Sequence, residues 1–225
     1  MGAIYLIRHG QASFGADDYD NLSDLGRQQS RLLGKSLTKR DIHIHSVFCG
    51  SMRRHRQTAE SCLNAMNLIR PIRELDILDE YNHVEIINKH APQYPDMQAL
   101  RKDMEQHDDP WRAFQELYSK AMLRWIKNDY ATEYSEPWPH FQERCTAALA
   151  AVAEATETGQ NILVFTSGGP ISSICQDLLG LNDERTLDLS WALVNTGVTK
   201  VNKGSSGCRL SVLNEHTHLD GKDNM

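Results

Sequence analysis

"NILVFTSGGPISSI", residues 161–174, is an apolar run that breaks at Ser-Gly-Gly-Pro and resumes with helical spacing. A strand feeding a glycine turn and a Pro-started helix is a common way to present backbone N–H groups to an anion. The loop offers hydroxyls from Thr166 and Ser167 and no titratable side chain. Any chemistry done on an anion held there must come from elsewhere in the chain.

Outward from this stretch, short apolar runs alternate with longer helical patterns. Ala3–Ile7 reads as a buried strand ending at Arg8-His9-Gly10. Ser23 has the character of a helix N-cap, with Leu25, Leu32, Leu33 and Leu37 marking one face. Ser46–Cys49 is a second strand, followed by a helix to about Leu68 with Thr58, Ala59, Cys62, Leu63 and Met66 inward. Ile72–Leu78 is a strand or an extended loop. Five prolines then punctuate 92–139, where Met97, Leu100 and Met104, and then Trp111, Phe114, Leu117, Ala121 and Trp125, keep helical spacing. This stretch predicts a helical insertion at about 92–139, its aromatic and methionine stripe forming the insertion's core and a candidate cover for a pocket mouth. Phe141, Cys145, Leu149 and Val152 mark a further helix, the strand 161–166 follows, and then a helix from Pro170 to Leu179. Two closing strands, Ala192–Val201 and Cys208–Leu213, flank a turn at Gly204–Gly207. Strand–helix alternation predicts an α/β fold: a three-layer α/β/α sandwich with a mostly parallel central sheet, as one domain over 1–225. In such sheets ligands bind at the carboxyl ends of strands. Three such ends carry polar clusters: Arg8-His9-Gly10, the segment after Cys49, and Thr166–Gly169.

Composition narrows the class. The 225 residues are 40% hydrophobic and 24% charged, as in globular proteins. A net charge of −6 argues against a nucleic-acid or anionic-membrane role for the surface as a whole. Five cysteines, an odd number without close pairing, point to reduced thiols rather than a disulfide framework. Ala3–Ile7 is too short for a signal-peptide core or a membrane span, and Leu6 stands where a myristoylation site needs Ser or Thr. The expectation is a cytoplasmic protein that binds neither nucleic acid nor membrane.

The segment "GSMRRHRQTAE" (50–60) puts Arg53, Arg54 and Arg56 in the first turn of a helix. Cations there oppose the helix dipole by about 0.3–1 kcal/mol each. A solvated basic face is the plain reading; a bound anion would remove the penalty. "YLIRHGQ" (5–11) ends a strand on an Arg fork suited to phosphate oxygens and on a His whose neutral ring can attack phosphorus. Alone, His9 reads equally as a strand-end histidine satisfied by a hydrogen bond.

The ordered set is more specific. "RHG" after the first strand, "LSDLGRQQ" (22–29), "RHRQTAE" (54–60), "LDE" (78–80), the Gly-Gly loop and "LNEHTHL" (213–219) span nearly the whole chain. In that order they resemble the histidine phosphatase superfamily, in its phosphoglycerate mutase-like branch. The resemblance implies a metal- and cofactor-independent phosphatase with a phosphohistidine intermediate on His9. Arg8 and Arg54 match the family's phosphoryl clamps, Arg54 because it lies four residues before Thr58. Glu80 matches the position of the acid that protonates the leaving oxygen, although by itself it reads as a surface acid in the run Glu74–Glu85. Such an acid needs burial or nearby negative charge to stay protonated near neutral pH. Gly10, Gln11, Ser13, Ser167 and Gly168 are the candidate phosphate-binding residues. The implied partner is a phosphorylated small molecule or a phosphoprotein.

The departures bear on activity. Where the family has Ser-His-Gly-Gly this chain has Thr166-Ser167-Gly168-Gly169, so Ser167 stands in place of the second histidine. Loss of one donor to the transition state costs about 2.7–4 kcal/mol, roughly 100- to 1000-fold in rate. His83 and Arg53 are the substitutes the sequence offers, and Ser167→His would raise the rate if the missing cation is limiting. The family's Glu-Ser/Thr after "RHG" is Gln11-Ala12, and "EYNHVEI" (80–86) lacks the Gly-x-Trp-Glu-Gly of many small-molecule phosphatases. Two alternatives stay open: a catalytically weak phospholigand- or phosphoprotein-binding module, and a phosphoglycerate mutase. His43-x-His45 and His216-x-His218 have metal-compatible spacing but no third ligand close by, and no metal is expected. His218 fits the family's tail as a structural residue.

Overall fold

The computed structural model describes residues 2–13 and 20–221. Six strands form one sheet in the order β3-β2-β4-β1-β5-β6. These are β1 (Gly2–Arg8), β2 (Ser46–Cys49), β3 (Ile72–Glu74), β4 (Asn161–Thr166), β5 (Val198–Gly204) and β6 (Gly207–Glu215). β3, β2, β4 and β1 run parallel, and β5 pairs antiparallel with both β1 and β6. The fold is therefore the expected α/β arrangement around a mostly parallel sheet. β1 and β4 lie at the centre in a register that sets Ile7 opposite Phe165 and Arg8 opposite Thr166. Both are buried almost throughout, which is why they read as continuous apolar runs rather than alternating ones.

Strand alternation sorts side chains to two faces. Ala3, Tyr5 and Ile7 of β1, with Val47, Cys49, Leu163 and Phe165, meet the apolar stripes of α1 (Asp24–Lys39) and α2 (Arg53–Ala65). α1 starts where the sequence says: Ser23 Oγ accepts from Gly26 N at 3.1 Å. Its approach to the sheet depends on two glycines. A Cβ at Gly10 would lie 2.4 Å from Gly26 O, and one at Gly26 would lie 2.1 Å from Gln11 O. The helix α7 (Gly168–Leu179) packs on β1 and β6. It begins two residues before the expected Pro170, which sits in the first turn, where its missing N–H costs nothing. Gly180 ends it in the left-handed conformation, φ 64°.

The chain forms two compact units, residues 1–80 with 144–225, and residues 81–143. The second unit holds α3 (His83–His90), α4 (Met97–Met104) and α5 (Pro110–Ile126), and α6 (Trp138–Glu154) opens in it. Ile87, Leu100 and Met104 form one cluster with Met97, Phe114, Leu117 and Tyr118. Tyr81, Trp125, Trp138 and Phe141 form an aromatic one, with centroids 5.0–5.7 Å apart along its contacting pairs. Trp111 departs from the expected core stripe, being 57% exposed.

Three local expectations change. Ile72–Leu78 divides into β3 and a 3-10 turn, Asp76–Leu78. The helix after β2 ends at Ala65, three residues early. The strand expected from Ala192 starts only at Val198, because a further helix, α8 (Asp183–Ala192), precedes it. In α8 Asn182 caps Arg185 N and only Thr186 is buried, so no apolar stripe announces the helix.

Candidate active site

The carboxyl ends of β1, β2 and β4 lie side by side in the first unit, and the site is built on them. His9 leaves β1 still tied to β4: its N–H donates to Thr166 O at 2.8 Å. The side chain is 6% exposed. Nδ1 lies 2.7 Å from Gly10 O. A carbonyl only accepts, so Nδ1 carries the hydrogen and Nε2 keeps its lone pair. Burial first, then Arg54, Arg8 and His55, holds the ring well below the usual histidine range, against an opposing pull from the Gly10 carbonyl. The backbone behind is also fixed. Gly10 N donates to Thr58 Oγ1 at 3.0 Å, Asn195 Nδ2 to His9 O at 3.0 Å, and Thr196 N to Arg8 O at 3.0 Å. Thr196 turns with φ 59°, and its hydroxyl pairs with His218 Nε2 at 2.9 Å. His218 thus supports the turn behind His9.

Two arginines adjoin the ring. Arg8 donates from Nη1 to Leu193 O, while its Nε is buried without a partner among the described residues. That Nε lies 3.7 Å from where a Gly168 Cβ would be. Arg54 is 6% exposed in the first turn of α2, and its Nη1 meets Asp20 Oδ1 at 2.7 Å. Asp20 Oδ2 also accepts from Arg53 N at 2.8 Å, capping a helix whose N-cap residue, Met52, has no side-chain cap bond. The anion that the crowded arginines call for is therefore supplied in part by the chain itself.

Glu80 is brought in by three ties. Thr166 donates its hydroxyl to Leu78 O, Arg144 Nη1 donates to Ile77 O at 3.0 Å and Asp79 O at 2.8 Å, and Gly169 N donates to Glu80 Oε2 at 3.2 Å. Its carboxylate thus stands at the N-terminus of α7, beside Gly168 and Ser167. Ser167 is fully buried and is the N-cap residue of α7, yet its side chain makes no cap bond.

That hydroxyl goes instead to a residue the sequence reading passed over. His55 Nε2 lies 2.7 Å from Ser167 Oγ, and its ring centroid is 5.8 Å from that of His9. His55 is fully buried; burial and the neighbouring Arg54 hold it well below the usual histidine range. The missing Cβ of Gly50 makes the space, for one would lie 2.3 Å from His55 Nδ1. The signal was in the sequence: His55, Thr58, Ala59 and Cys62 keep the i, i+3, i+4, i+7 spacing of a buried stripe, while Arg53 and Arg56 fall off it.

Of the remaining candidates, Gln11 and Ser13 stand at a rim toward α1. Gln11 N donates to Gln29 Oε1 at 2.9 Å, its Oε1 accepts from Ser23 Oγ at 2.8 Å, and Ser13 N donates to Asn21 O at 2.7 Å. With Ala12, Leu22, Ser23 and Asp24 they line an open groove. Arg53 reaches Asn21 Oδ1 at 3.4 Å, and His83 opens α3 in the second unit. His43 and His45 meet edge-on with centroids 4.8 Å apart, and His45 Nδ1 accepts from Asn161 N at 3.1 Å. Among the described residues no three His, Cys, Asp or Glu side chains gather as a metal cluster. No described helix is long and apolar enough to cross a membrane.

The site thus gathers a buried histidine at the end of a central strand, two arginines and a carboxylate. The family model described as histidine phosphatase superfamily (branch 1) matches residues 4–216, and the chain belongs to that superfamily. A 60-residue stretch is 40% identical to the mitochondrial serine/threonine-protein phosphatase Pgam5 of Caenorhabditis briggsae, covering 27% of this chain and 21% of that protein. The chain thus spans about a fifth of that curated relative. Among solved structures, phosphoglycerate mutase from Bacillus anthracis superposes with a TM-score of 0.67 at 19% identity, over 96% of this chain and 94% of that one. A phosphoserine phosphatase mutant from Entamoeba histolytica, in complex with phosphoserine, gives 0.67 at 16% identity, over 97% and 100%. These likenesses define the shared fold.

Proposed function

We propose that the protein hydrolyses a phosphomonoester through a phosphohistidine formed on His9. The observation that carries this reading is the 2.7 Å contact of His9 Nδ1 with Gly10 O, which reserves the Nε2 lone pair for attack in a ring kept neutral by its surroundings. In the first step Nε2 bonds to phosphorus as the ester P–O bond breaks. Glu80, protonated, gives its proton to the departing oxygen. Arg8 and Arg54 balance the charge on the phosphoryl oxygens, Arg54 exchanging Asp20 for the substrate, and the amide of Gly168 adds a backbone donor. In the second step water attacks phosphorus, Glu80 takes its proton, and phosphate leaves with His9 restored. This chemistry calls on no metal. Gly10, Gln11, Ser13 and Ser167 complete the phosphate-binding set, and the substrate class is a phosphorylated small molecule or a phosphoprotein. The phosphatases and mutase among its relatives support the assignment.

The test is turnover of p-nitrophenyl phosphate and a panel of phosphorylated metabolites and phosphopeptides in chelator, beside His9→Ala. Wild-type turnover that His9→Ala abolishes, with acid-labile phosphate trapped on the wild type alone, is the expected result. Phosphate binding without turnover or trapped phosphohistidine would identify a binding module instead.

A further inference from the structure

The proposed chemistry leaves one buried titratable group unused. His55 has no exposed surface, its Nε2 is 2.7 Å from Ser167 Oγ, and its Nδ1 is 3.7 Å from Asp79 Oδ1. Asp79 is itself held in place: it accepts from Ser51 N at 2.7 Å and from the Ser51 hydroxyl. Ser167, His55 and Asp79 therefore form a chain of contacts leading from the N-terminus of α7 toward the surface at Ser51. Asp79 is too far to hydrogen-bond Nδ1, but its charge favours hydrogen there, which makes Nε2 the acceptor for the Ser167 hydroxyl. In that state the hydroxyl presents only lone pairs to an incoming phosphoryl group, which repels them.

We propose that His55 is a positioning residue that acts through Ser167: binding of a phosphoryl group at His9 protonates His55 and reverses the hydroxyl, so that Ser167 donates to a phosphoryl oxygen with the imidazolium behind it. This rests on the reading of His9 as the phosphoryl site. For a monoanionic ligand the relay balances within the complex. The ligand P–O–H bond breaks as Ser167 Oγ–H forms, and the former Ser167 proton forms the N–H bond at His55 Nε2. For a dianion the proton comes from water, and binding takes one up. The charged and titratable groups around His55 are Asp79 beside Nδ1, His9 across the site, and Arg54 on its own helix. Burial first, and then Arg54, disfavour the charged His55 ring in the empty site. Two added negative charges beside His9 invert that balance, and the imidazolium is then paired on both sides, by Asp79 and by the hydroxyl.

The experiment is orthophosphate binding by calorimetry at about pH 8, where phosphate is mainly the dianion, in buffers of different ionisation enthalpy that count protons. Wild type is expected to take up about one proton. His55→Gln should lose that uptake and bind about 10- to 100-fold more weakly, the worth of a hydrogen bond to a charged group. Ser167→Ala should do the same, and the double variant should be no worse than either single one. His9→Gln should keep the uptake. Uptake retained in His55→Gln, uptake lost only in His9→Gln, or no phosphate binding by the wild type would overturn the proposal. Should His55→Gln fail to fold, nitrogen NMR of the wild-type imidazoles decides. His55 must pass from neutral ring to imidazolium as phosphate is added, and a ring that stays neutral refutes the relay. Uptake without turnover of any ester would leave the relay standing and remove the phosphatase reading instead.

Discussion

Two backbones approach closely at the site, and Gly10→Ala tests that contact. A Cβ there would meet Gly26 O at 2.4 Å, Gly26 C at 2.9 Å and Gly26 Cα at 3.0 Å. Ordinary contact needs about 3.4 Å or more, so α1 or the His9–Gly10 segment must move by about 1 Å. Neither yields easily. The glycine amide is tied to Thr58 and its carbonyl to His9 Nδ1, and further along the same face of α1 Leu33 and Leu37 pack into the core. Overpacking costs about 1–3 kcal/mol, and backbone on both sides puts this case near the upper end. At about 2–4 °C per kcal/mol for a chain of this size, melting should fall by about 5–10 °C. On the proposed mechanism, a displacement of about 1 Å at His9 should also cost about 100-fold in kcat for p-nitrophenyl phosphate. Gly204→Ala is the control, because its Cβ would meet only Gly207 O, at 3.9 Å. Scanning calorimetry and steady-state kinetics on both variants decide the matter. Gly10→Ala with unchanged melting and kcat would refute the claim that this contact sets the position of His9.

His218 makes stability acid-sensitive. Burial lowers it from 6.5 to about 4 in the folded chain, so its contribution is complete above 6.5 and is lost as pH falls toward 4. The difference is worth at most about 3 kcal/mol. Urea midpoints should drop less between about pH 7 and pH 4.5 in His218→Gln than in wild type, and parallel losses would exclude this origin. Glu80→Gln should slow hydrolysis of an alkyl phosphate by about 100- to 10,000-fold but p-nitrophenyl phosphate far less, since that leaving group needs little protonation. Equal losses on both substrates would rule out a role as acid. Ser167→His should not raise the rate, because Ser167 is fully buried against His55; only with His55→Ala is there room for the ring. A faster single variant would overturn this.

The central strands, the Ser23 cap and the mostly parallel sheet were legible because each rests on local pattern. Buried strands give continuous apolar runs, and a cap needs only one serine at the right place. α8 was not legible, because a helix with a single buried residue leaves no periodic trace. The site divides the same way. Arg8, His9, Arg54 and Glu80 were singled out through an ordered set of motifs, and all four lie in the first unit. His55 was missed because it lies among arginines and reads as part of a basic face. Its burial depends on Gly50, five residues before it, and its partner Ser167 is 112 positions away. The anion inferred at the start of α2 had the same long-range character, since Asp20 reaches it from the other side of α1.

Arg144 has a consequence for how such a protein can vary. Its guanidinium holds the carbonyls of Ile77 and Asp79, so the segment leading into residues 81–143 and the first residue after them are fixed to each other within the first unit. The excursion is thus closed at its base, and lengthening a closed loop adds only slowly to its entropic cost, about 0.6 kcal/mol for each doubling. Residues 81–143 can therefore be exchanged for segments of other length and shape with Glu80 still pinned at its carbonyl neighbours. That decouples residues 81–143 from the part of the chain that holds Glu80, Arg8, Arg54 and His9.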